Sequence, residues 1–309
     1  MAFDWKVRKN LEAGREELGS KIIHFRHAFH GRTGYTLSLT NTADPRKYMY
    51  FPLFDWPRID PPMLRFPVDE EEALKNDEAA LAAVEQAFTD NPHDIAGVLI
   101  EPIQAEGGDH HFTDRFLQGL KEICDRNEAV FILDEVQTGM GITGVMWAHQ
   151  AQNVQPDIIA FGKKTQVCGI LAGPKIDEVE RNCFVESSRI NSTWGGNLVD
   201  MVRFTRILEI IEEDDLVENA RVVGDYLLEQ LGDLETEFGA VSNVRGRGLL
   251  CAFDLPDGDA RDACVNRCME EGMLILGCGD VSVRFRPPLQ TTKEHIDQGI
   301  GILRNVLAG

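Results

Sequence analysis

The chain has 309 residues, with 51 acidic and 31 basic side chains and a formal net charge of −20. Apolar residues make up 43% of it, an ordinary share for a globular protein, which excludes an intrinsically disordered chain. An acidic excess of this size repels phosphate groups and argues against a nucleic-acid-binding protein.

The chain opens on MAFDWKVRKNLEAGREELG, a charged segment with a helical pattern and no residue suited to cap its start. It lacks both the apolar stretch of a secretory signal and the acid-poor composition of a transit peptide. No apolar run in the chain reaches the roughly 18 residues that a membrane helix needs. The seven cysteines form no CxxC pair, which is typical of reduced, buried thiols in a cytoplasmic protein.

Short apolar runs rich in β-branched residues alternate with longer helical patterns in the first part of the chain. Strands are predicted at 21–26, 97–103, 130–136 and 157–162, and helices at 69–88 and 114–126, with Thr113 capping the second helix. This alternation predicts an α/β fold with an open, mostly parallel sheet. Long connections at 40–65 and 139–156 interrupt it, and loops of that length usually carry function.

The pattern changes in the last third of the chain. Residues 202–238 are predicted to be helical throughout, followed by strands at 245–254, 273–277 and 281–285 and by helices at 260–271 and 292–307. We therefore expect a large α/β domain over 1–201, a connecting helical region over 202–238 and a small α+β domain over 239–309.

Acidic and basic side chains follow three of the predicted strands. Glu101 follows GVLI, Asp134 follows FIL, and Lys163 and Lys164 follow IIAFG. Ligands of open α/β sheets bind at the carboxyl ends of the strands, so these charges are expected to meet at a ligand-binding edge. They can form a structural ion pair, because burying either charge alone is costly. They can equally be an amine nucleophile and an acid that serve an electron-poor cofactor, and position alone leaves both interpretations open.

The motifs around these residues resemble one enzyme family. DEVQTGMGITG, with the lysine of AFGK 29 residues after Asp134, resembles the class III aminotransferases of fold type I, which use pyridoxal 5'-phosphate. More narrowly, FHGRTGYTLSLTNT, FPLFDWPRI, EPIQAEGGD, FGKKTQVCG, NSTWGGN and VRFRPPL are similar to members that act on the ε-amino group of lysine. The resemblance covers nearly the whole chain. It implies a homodimer with the active site at the subunit interface, and the small molecules L-lysine and 2-oxoglutarate as substrates.

The resemblance also implies roles for residues at the cofactor. Lys163 would carry the cofactor covalently, and its pKa would be lowered by burial, with Lys164 an outward-pointing or structural neighbour. Asp134 would pair with the pyridine nitrogen, Gln137 would bond the ring hydroxyl, and Phe29 would stack on the ring. Gln137 can also be a turn residue and Phe29 a core aromatic.

Thr193, with Asn191 close by, would reach the cofactor phosphate of the neighbouring subunit. Its alternative is an ordinary threonine in a glycine-bordered loop.

The resemblance assigns the substrates to Arg284, Arg32 and Glu106. Arg284 matches the family arginine that binds an α-carboxylate, and Arg286 is expected to share its face of a strand. Arg32 and Glu106 resemble a pair that lets one pocket serve both substrates, with Glu106 neutralising Arg32 or swinging aside when a second carboxylate arrives. A solvated turn is the alternative for Glu106.

Other signals are weaker. His24, His27 and His30 are spaced by three but fall on a predicted strand and loop, so we expect no metal site. No GxGxxG motif follows a strand, and the RGRG segment at 245–248 is too isolated to bind nucleic acid.

The chain departs from the family at its start. Members carry upstream residues that include a glycine- and serine-rich helix start for the cofactor phosphate, so we expect the large domain to be N-terminally incomplete. An inactive fragment or partner-dependent subunit, an ornithine- or 4-aminobutyrate-type aminotransferase, and a racemase or mutase with the same cofactor are the alternatives.

Overall fold

The computed structural model describes residues 1–309 and contains two separate sheets. The larger sheet is built from Lys21–Phe25 (β1), Arg58–Ile59 (β2), Ile95–Ile100 (β3), Val130–Asp134 (β4), Ile158–Phe161 (β5) and Gly169–Ala172 (β6). Their order is β2-β1-β3-β4-β5-β6, with β6 antiparallel to β5 and every other pair parallel. The predicted open, mostly parallel α/β sheet is confirmed. The strands β2 and β6 escape prediction, because β2 has two residues and three of the four residues of β6 are exposed.

The helices of this part of the chain are Ala2–Glu12 (α1), Gly34–Leu39 (α2), Glu70–Asp90 (α3), Ala105–Gly108 (α4), Asp114–Arg126 (α5) and Ala148–Ala151 (α6). The Thr113 hydroxyl accepts the backbone N–H of Phe116 at 3.0 Å, which confirms Thr113 as the N-cap of α5. Successive strand residues point to opposite faces: Val130 joins the apolar cluster of Trp5 in α1, and Phe131 joins that of Phe116 in α5. The sheet is thus covered on both faces, which is why its central strands are apolar throughout.

The smaller sheet is antiparallel and built from Ser242–Arg247 (β7), Leu250–Asp254 (β8), Leu276–Cys278 (β9) and Ser282–Phe285 (β10). Its order is β7-β8-β10-β9. The single strand predicted at 245–254 is in fact split between β7 and β8, which form a hairpin. Gly248 makes the turn with φ +56, and a Cβ there would lie 2.5 Å from the carbonyl oxygen of Ile142. Both the backbone conformation and the lack of space require glycine at this turn.

The remaining helices are Leu198–Glu213 (α7), Leu216–Glu237 (α8), Gly258–Glu270 (α9) and Lys293–Ala308 (α10). The single helical region predicted at 202–238 is broken at Asp214 and Asp215, where Asp215 has φ +50. The helix α8 buries Val223, Leu227 and Leu231 in the core of the small sheet, whereas α7 buries only one residue. We propose that α8 belongs to the C-terminal domain and that α7 alone connects the two.

None of the helices combines the length and the apolar character that crossing a bilayer requires. All seven cysteines are free. Six of them are buried as expected, but Cys168 is exposed because it lies in the turn between β5 and β6.

A buried arginine joins the two sheets. Arg245 of β7 donates from Nε to the carbonyl oxygen of Asp109 at 2.9 Å and from Nη2 to that of Gly108, both at the end of α4. Within the small sheet the same guanidinium lies 2.9 Å from Asp254 Oδ1 and donates to the hydroxyl of Ser282 at 2.8 Å. The side chain of Arg245 is 1% exposed. Its charge is therefore offset within the protein rather than by water.

We expect Arg245→Met to lower the free energy of unfolding by about 3–5 kcal/mol, because it leaves Asp254 and two backbone carbonyls without their cation. Urea unfolding followed by circular dichroism measures the change. Arg304→Met is the matched control, since Arg304 pairs with Glu237 at 2.7 Å but both side chains are more than 40% exposed. That variant should lose less than about 1 kcal/mol. Equal losses of unfolding free energy in the two variants would contradict the role of Arg245 in joining the two sheets.

Candidate active site

Three adjacent parallel strands bring charged side chains to one edge of the large sheet. Glu101 follows β3, Asp134 ends β4, and Lys163 lies two residues after β5. Because these strands are parallel neighbours, their carboxyl ends open at the same edge. Asp134 lies opposite Ala160 of β5, so Lys163 is three residues beyond that point of the register. The predicted meeting of acid and lysine at this edge agrees with the topology.

The direct partner of Asp134 is a histidine rather than a lysine. His30 Nδ1 lies 2.8 Å from Asp134 Oδ2, and Asp134 Oδ1 accepts the backbone N–H of Val136 at 3.1 Å. Burial lowers the pKa of His30, but the hydrogen bond and charge of Asp134, with the charge of Glu101, outweigh burial and raise it above its ordinary value. The other ring nitrogen of His30 is buried and has no partner. The structural Asp–Lys ion pair is therefore not the arrangement found here.

Glu101 lies next to this pair and is itself buried. Its carboxylate accepts the backbone N–H of Phe29 at 3.0 Å and that of Ala105 at 3.2 Å. Burial, together with the charge of Asp134, raises the pKa of Glu101 to about 7 against the opposing effect of His30. Glu101 thereby ties the segment that carries Phe29 to the start of α4.

The two neighbouring lysines have opposite environments. Lys163 is exposed and has φ +54, a left-handed residue that turns the chain directly after β5. Lys164 is half-buried and donates from Nζ to the carbonyl oxygen of Gln137 at 2.8 Å. Burial, with the charges of Arg286 and Lys163, lowers the pKa of Lys164 to about 8. The expected burial of Lys163 is therefore wrong for this chain. Of the two alternatives for Lys164, the structure favours the structural neighbour over the outward-pointing one, because the bond to Gln137 directs its amine inward.

Glu106 faces a different arginine from the expected one. Its Oε2 lies 3.0 Å from Nη1 of Arg284 on β10, and its Oε1 lies 2.6 Å from Nζ of Lys47. Burial raises the pKa of Glu106, but the hydrogen bond to Lys47 and the charge of Arg284 outweigh burial and lower it below its ordinary value. Arg32 is exposed and takes no part in this cluster. The expected Glu106–Arg32 pair is thus replaced by Glu106–Arg284, since β10 brings Arg284 to α4.

Arg284 and Arg286 do not act as one face of a strand. The strand β10 ends at Phe285, and beyond it the guanidinium of Arg286 turns to the carboxylate of Asp109. Arg284 remains in the strand, opposite Ala252 and Leu276, with its Nε buried and without a partner. Nε of Arg286 is likewise buried without a partner, but its guanidinium is held on Asp109, so Arg284, beside Glu106, is the better candidate to meet a ligand.

The other predicted residues occupy less connected positions. Phe29 is half-buried, with Nζ of Lys47 5.7 Å from its ring centre, and Gln137 is half-buried after β4. Asn191 and Thr193 lie in an exposed segment ahead of α7. The structure does not bring these two residues into the cluster around Asp134.

The donor set fits the ring of pyridoxal 5'-phosphate. The carboxylate of Asp134 suits a protonated ring nitrogen, the exposed amine of Lys163 suits the aldehyde, and Phe29 offers an aromatic face. The unpartnered donors of Arg284 suit a substrate carboxylate.

Two contributors to the site lie outside the roles that the sequence predicts. The spacing of the histidines points to His30 only as a metal ligand, although its position next to Phe29 in FHGR also indicates a role beside the same ring. The three histidines in fact have separate partners, with His24 bonded to Arg58 and His27 packed on His110. Lys47 carries no local signal at all, because its relation to Glu106 arises only in three dimensions.

Known proteins resemble this chain both in sequence and in fold. The family described as Aminotransferase class-III matches residues 1–307. The chain is 50% identical to the L-lysine-epsilon aminotransferase of Mycobacterium tuberculosis, covering 99% of this chain and 68% of that protein. It is 51% identical to the enzyme of the same name from Amycolatopsis lactamdurans, covering 99% of this chain and 69% of that protein. It is 38% identical to a probable mitochondrial 4-aminobutyrate aminotransferase of Caenorhabditis elegans, covering 93% of this chain and 60% of that protein.

Among solved structures, the lysine aminotransferase of M. tuberculosis in its internal aldimine form superposes with a TM-score of 0.97. That match has 50% identity and covers 99% of this chain and 71% of the solved one.

We expect Glu101→Gln to change how stability depends on pH. The pKa of Glu101 is raised in the folded protein from 4.5 to about 7, so the folded state holds its proton more tightly than the unfolded state. The favourable contribution is complete below about pH 4.5 and is lost as the pH rises through about 7. Urea unfolding measures the free energy of unfolding at pH 5 and at pH 8. Between these two pH values it should fall more in the wild type than in the glutamine variant. Parallel profiles would contradict the raised pKa.

Proposed function

The chain belongs to the class III aminotransferases, which depend on pyridoxal 5'-phosphate, and we propose that it moves the ε-amino group of L-lysine to 2-oxoglutarate. The products would be L-glutamate and 2-aminoadipate 6-semialdehyde. The observation that carries the proposal is the contact of 3.0 Å between the carboxylate of Glu106 and Arg284, because an arginine held on an acid could exchange that acid for a substrate carboxylate. The named lysine enzymes at 50% and 51% identity support lysine over the 4-aminobutyrate enzyme at 38%.

Each residue at the strand ends has a task in this reaction. Lys163 would hold the cofactor, Asp134 would face its ring nitrogen, Gln137 its ring hydroxyl, and Phe29 would cover one face. When bound, the cofactor supplies an electron-withdrawing ring that accommodates the charge left on the substrate carbon after proton removal. Asp134 keeps a proton on the ring nitrogen. His30, whose Nδ1 lies 2.8 Å from Asp134 Oδ2, would hold that carboxylate in its orientation.

The proton that moves during the reaction is assigned to Lys163. Its amine, once released, would act as general base and take the proton from C6 of lysine. It would then act as general acid and give that proton to the cofactor carbon to which Lys163 had been bonded. Exposure leaves this amine free to swing between the two positions. Lys164 is held on the carbonyl oxygen of Gln137 and does not compete for the task.

The two substrates differ in charge next to the carbon that reacts. C6 of lysine bears no carboxylate, whereas the oxo carbon of 2-oxoglutarate is bonded to one. Glu106 would neutralise Arg284 while lysine is bound. When 2-oxoglutarate binds, its carboxylate would replace Glu106 on Arg284, which can hold it through two parallel hydrogen bonds. Arg32, exposed and unpaired, would bind the far carboxylate of either substrate.

A homodimer would complete the site. Large apolar side chains are exposed along the segment that carries Asn191 and Thr193 and along α7: Phe184, Val185, Ile190, Trp194, Leu198, Val199, Met201 and Val202. An exposed apolar patch of this kind marks a contact surface. We propose that it meets a second copy and that Thr193 and Asn191 then reach the partner's cofactor phosphate.

A cytoplasmic location is also proposed, because all seven thiols are free.

The visible spectrum of the purified chain with pyridoxal 5'-phosphate tests the reaction. We expect an absorption band that L-lysine bleaches and 2-oxoglutarate restores. Lys163→Ala should abolish the band and lower the rate by at least about 10²-fold, because it removes both the cofactor anchor and the general base. Lys164→Ala is the matched control, and it should keep the band.

A band that responds to ornithine or 4-aminobutyrate but not to lysine would contradict the proposed donor. The absence of any band would favour the partner-dependent fragment over an active enzyme. Loss of the band in Lys164→Ala alone would reassign the cofactor to Lys164.

Sedimentation tests the dimer. We expect twice the chain mass of 34.6 kDa, and a shift toward the single mass in Leu198→Glu, because burying a charge at an apolar contact is costly. Leu274→Glu is the control, since Leu198 and Leu274 are both 80% exposed but Leu274 lies in the small domain. A wild-type protein at the single mass would contradict the dimer.

A further inference from the structure

A charged cleft of about 460 Å³ lies between the loop that follows α2 and the small sheet. The charged side chains that line it are Asp44, Arg46, Lys47, Glu106, Arg261 and Asp280. Lys47 matches none of the family motifs in this chain. It is nevertheless the cation nearest to Glu106, with 2.6 Å between Nζ and Oε1.

Glu106 is shared between two cations, one on each carboxylate oxygen. Oε1 faces Lys47 and Oε2 faces Arg284. The side chain of Glu106 is 26% exposed, that of Lys47 23% and that of Arg284 12%. Two positive charges on one negative charge leave a net charge of about +1, which is complementary to one further carboxylate. If Arg284 were the only cation, its transfer to a substrate would leave Glu106 partly buried without a partner, which is unfavourable.

The backbone of Glu106 is fixed, so only its side chain can respond. A Cβ at Gly107 would lie 2.0 Å from the carbonyl oxygen of His27, which shows how closely the two backbones approach. On the other side, the N–H of Gly279 donates to the carbonyl oxygen of Glu106 at 3.0 Å. The carboxylate can therefore release Arg284 and stay on Lys47 without any movement of the chain.

Lys47 is itself held on a defined turn. Asp44 accepts the backbone N–H of Arg46 at 3.1 Å, and the N–H of Met49 bonds the carbonyl oxygen of Pro45 at 2.8 Å. This turn sets Lys47 beside Phe29, with its Nζ 5.7 Å from the ring centre. The amine is thereby positioned on the side of Glu106 that faces away from Arg284.

We propose that Lys47 is a positioning residue that retains Glu106 when Arg284 binds the carboxylate next to the oxo group of the acceptor. The proposal rests on the proposed function, because it assumes that 2-oxoglutarate is the acceptor. Lys47 acts on the acceptor through Glu106 and makes no contact with the substrate. It therefore favours the acceptor half of the reaction and leaves the donor half, in which Glu106 stays on Arg284, largely unaffected.

The acceptor half-reaction tests this role in isolation. The protein loaded with pyridoxamine 5'-phosphate is mixed with 2-oxoglutarate, so that the identity of the amino donor does not enter. In Lys47→Met we expect KM for 2-oxoglutarate to rise about tenfold, because Glu106 then depends on Arg284 alone and competes harder for it. The maximal rate and the KM for L-lysine in the donor half should change less than about twofold.

Three further variants separate this role from a structural one. Lys47→Arg keeps the charge and should restore KM to within about threefold. Arg46→Met removes the neighbouring cation, whose side chain is 83% exposed and pairs with Asp44, and should leave KM unchanged. In a Glu106→Gln background, Lys47→Met should have no effect on KM, because the carboxylate that it retains is gone.

An unchanged KM in Lys47→Met would overturn the proposal. So would an effect that persists in the Glu106→Gln background, because it would mean that Lys47 contacts the acceptor directly. A protein that reacts with 2-oxoglutarate but not with L-lysine contradicts only the proposed donor. A protein that does not react with 2-oxoglutarate contradicts both proposals.

Discussion

The short helix α4 is the point at which the two sheets are held together, and the site depends on this contact. Gly107 lets the helix approach the backbone at His27 in the large domain, and Gly279 donates to it from the small domain. The guanidinium of Arg245 is buried in this contact, and the carbonyl oxygens at the end of α4 and the carboxylate of Asp254 offset its charge. Because α4 carries Glu106, the same contact that fixes the domains also sets the charge at the substrate end.

The acids near the strand ends are all paired, although the protein as a whole has a net charge of −20. Each acid near the strand ends has a specific offset: His30 for Asp134, backbone N–H groups for Glu101, and two cations for Glu106. These offsets differ in kind, and so do their consequences for the pKa values. The pKa of Glu101 is raised because burial outweighs its bonds to backbone N–H groups, whereas the pKa of Glu106 is lowered because its two charged partners outweigh burial.

Much of the fold follows from local patterns. Apolar runs with β-branched residues predict the central strands, and the cap at Thr113 predicts the start of α5, because these signals act over a few residues. The predictions fail where a single residue redirects the chain. Gly248 turns one predicted strand into a hairpin, and Asp215, with a positive φ, divides one predicted helix into two.

The alternation of strands and helices along the chain predicts a parallel sheet, and the motifs place Asp134 and Lys163 at the carboxyl ends of two of its strands, which are neighbours in the structure. The cation that each acid faces depends instead on how distant elements pack against one another. Lys47 and Glu106 are 59 residues apart, and Arg284 reaches Glu106 from the other sheet. Coulomb interactions of this kind depend on distances of a few ångströms across packed elements, and no pattern along the chain encodes those distances. For that reason the motif identified Glu106 but assigned it to Arg32 instead of Arg284.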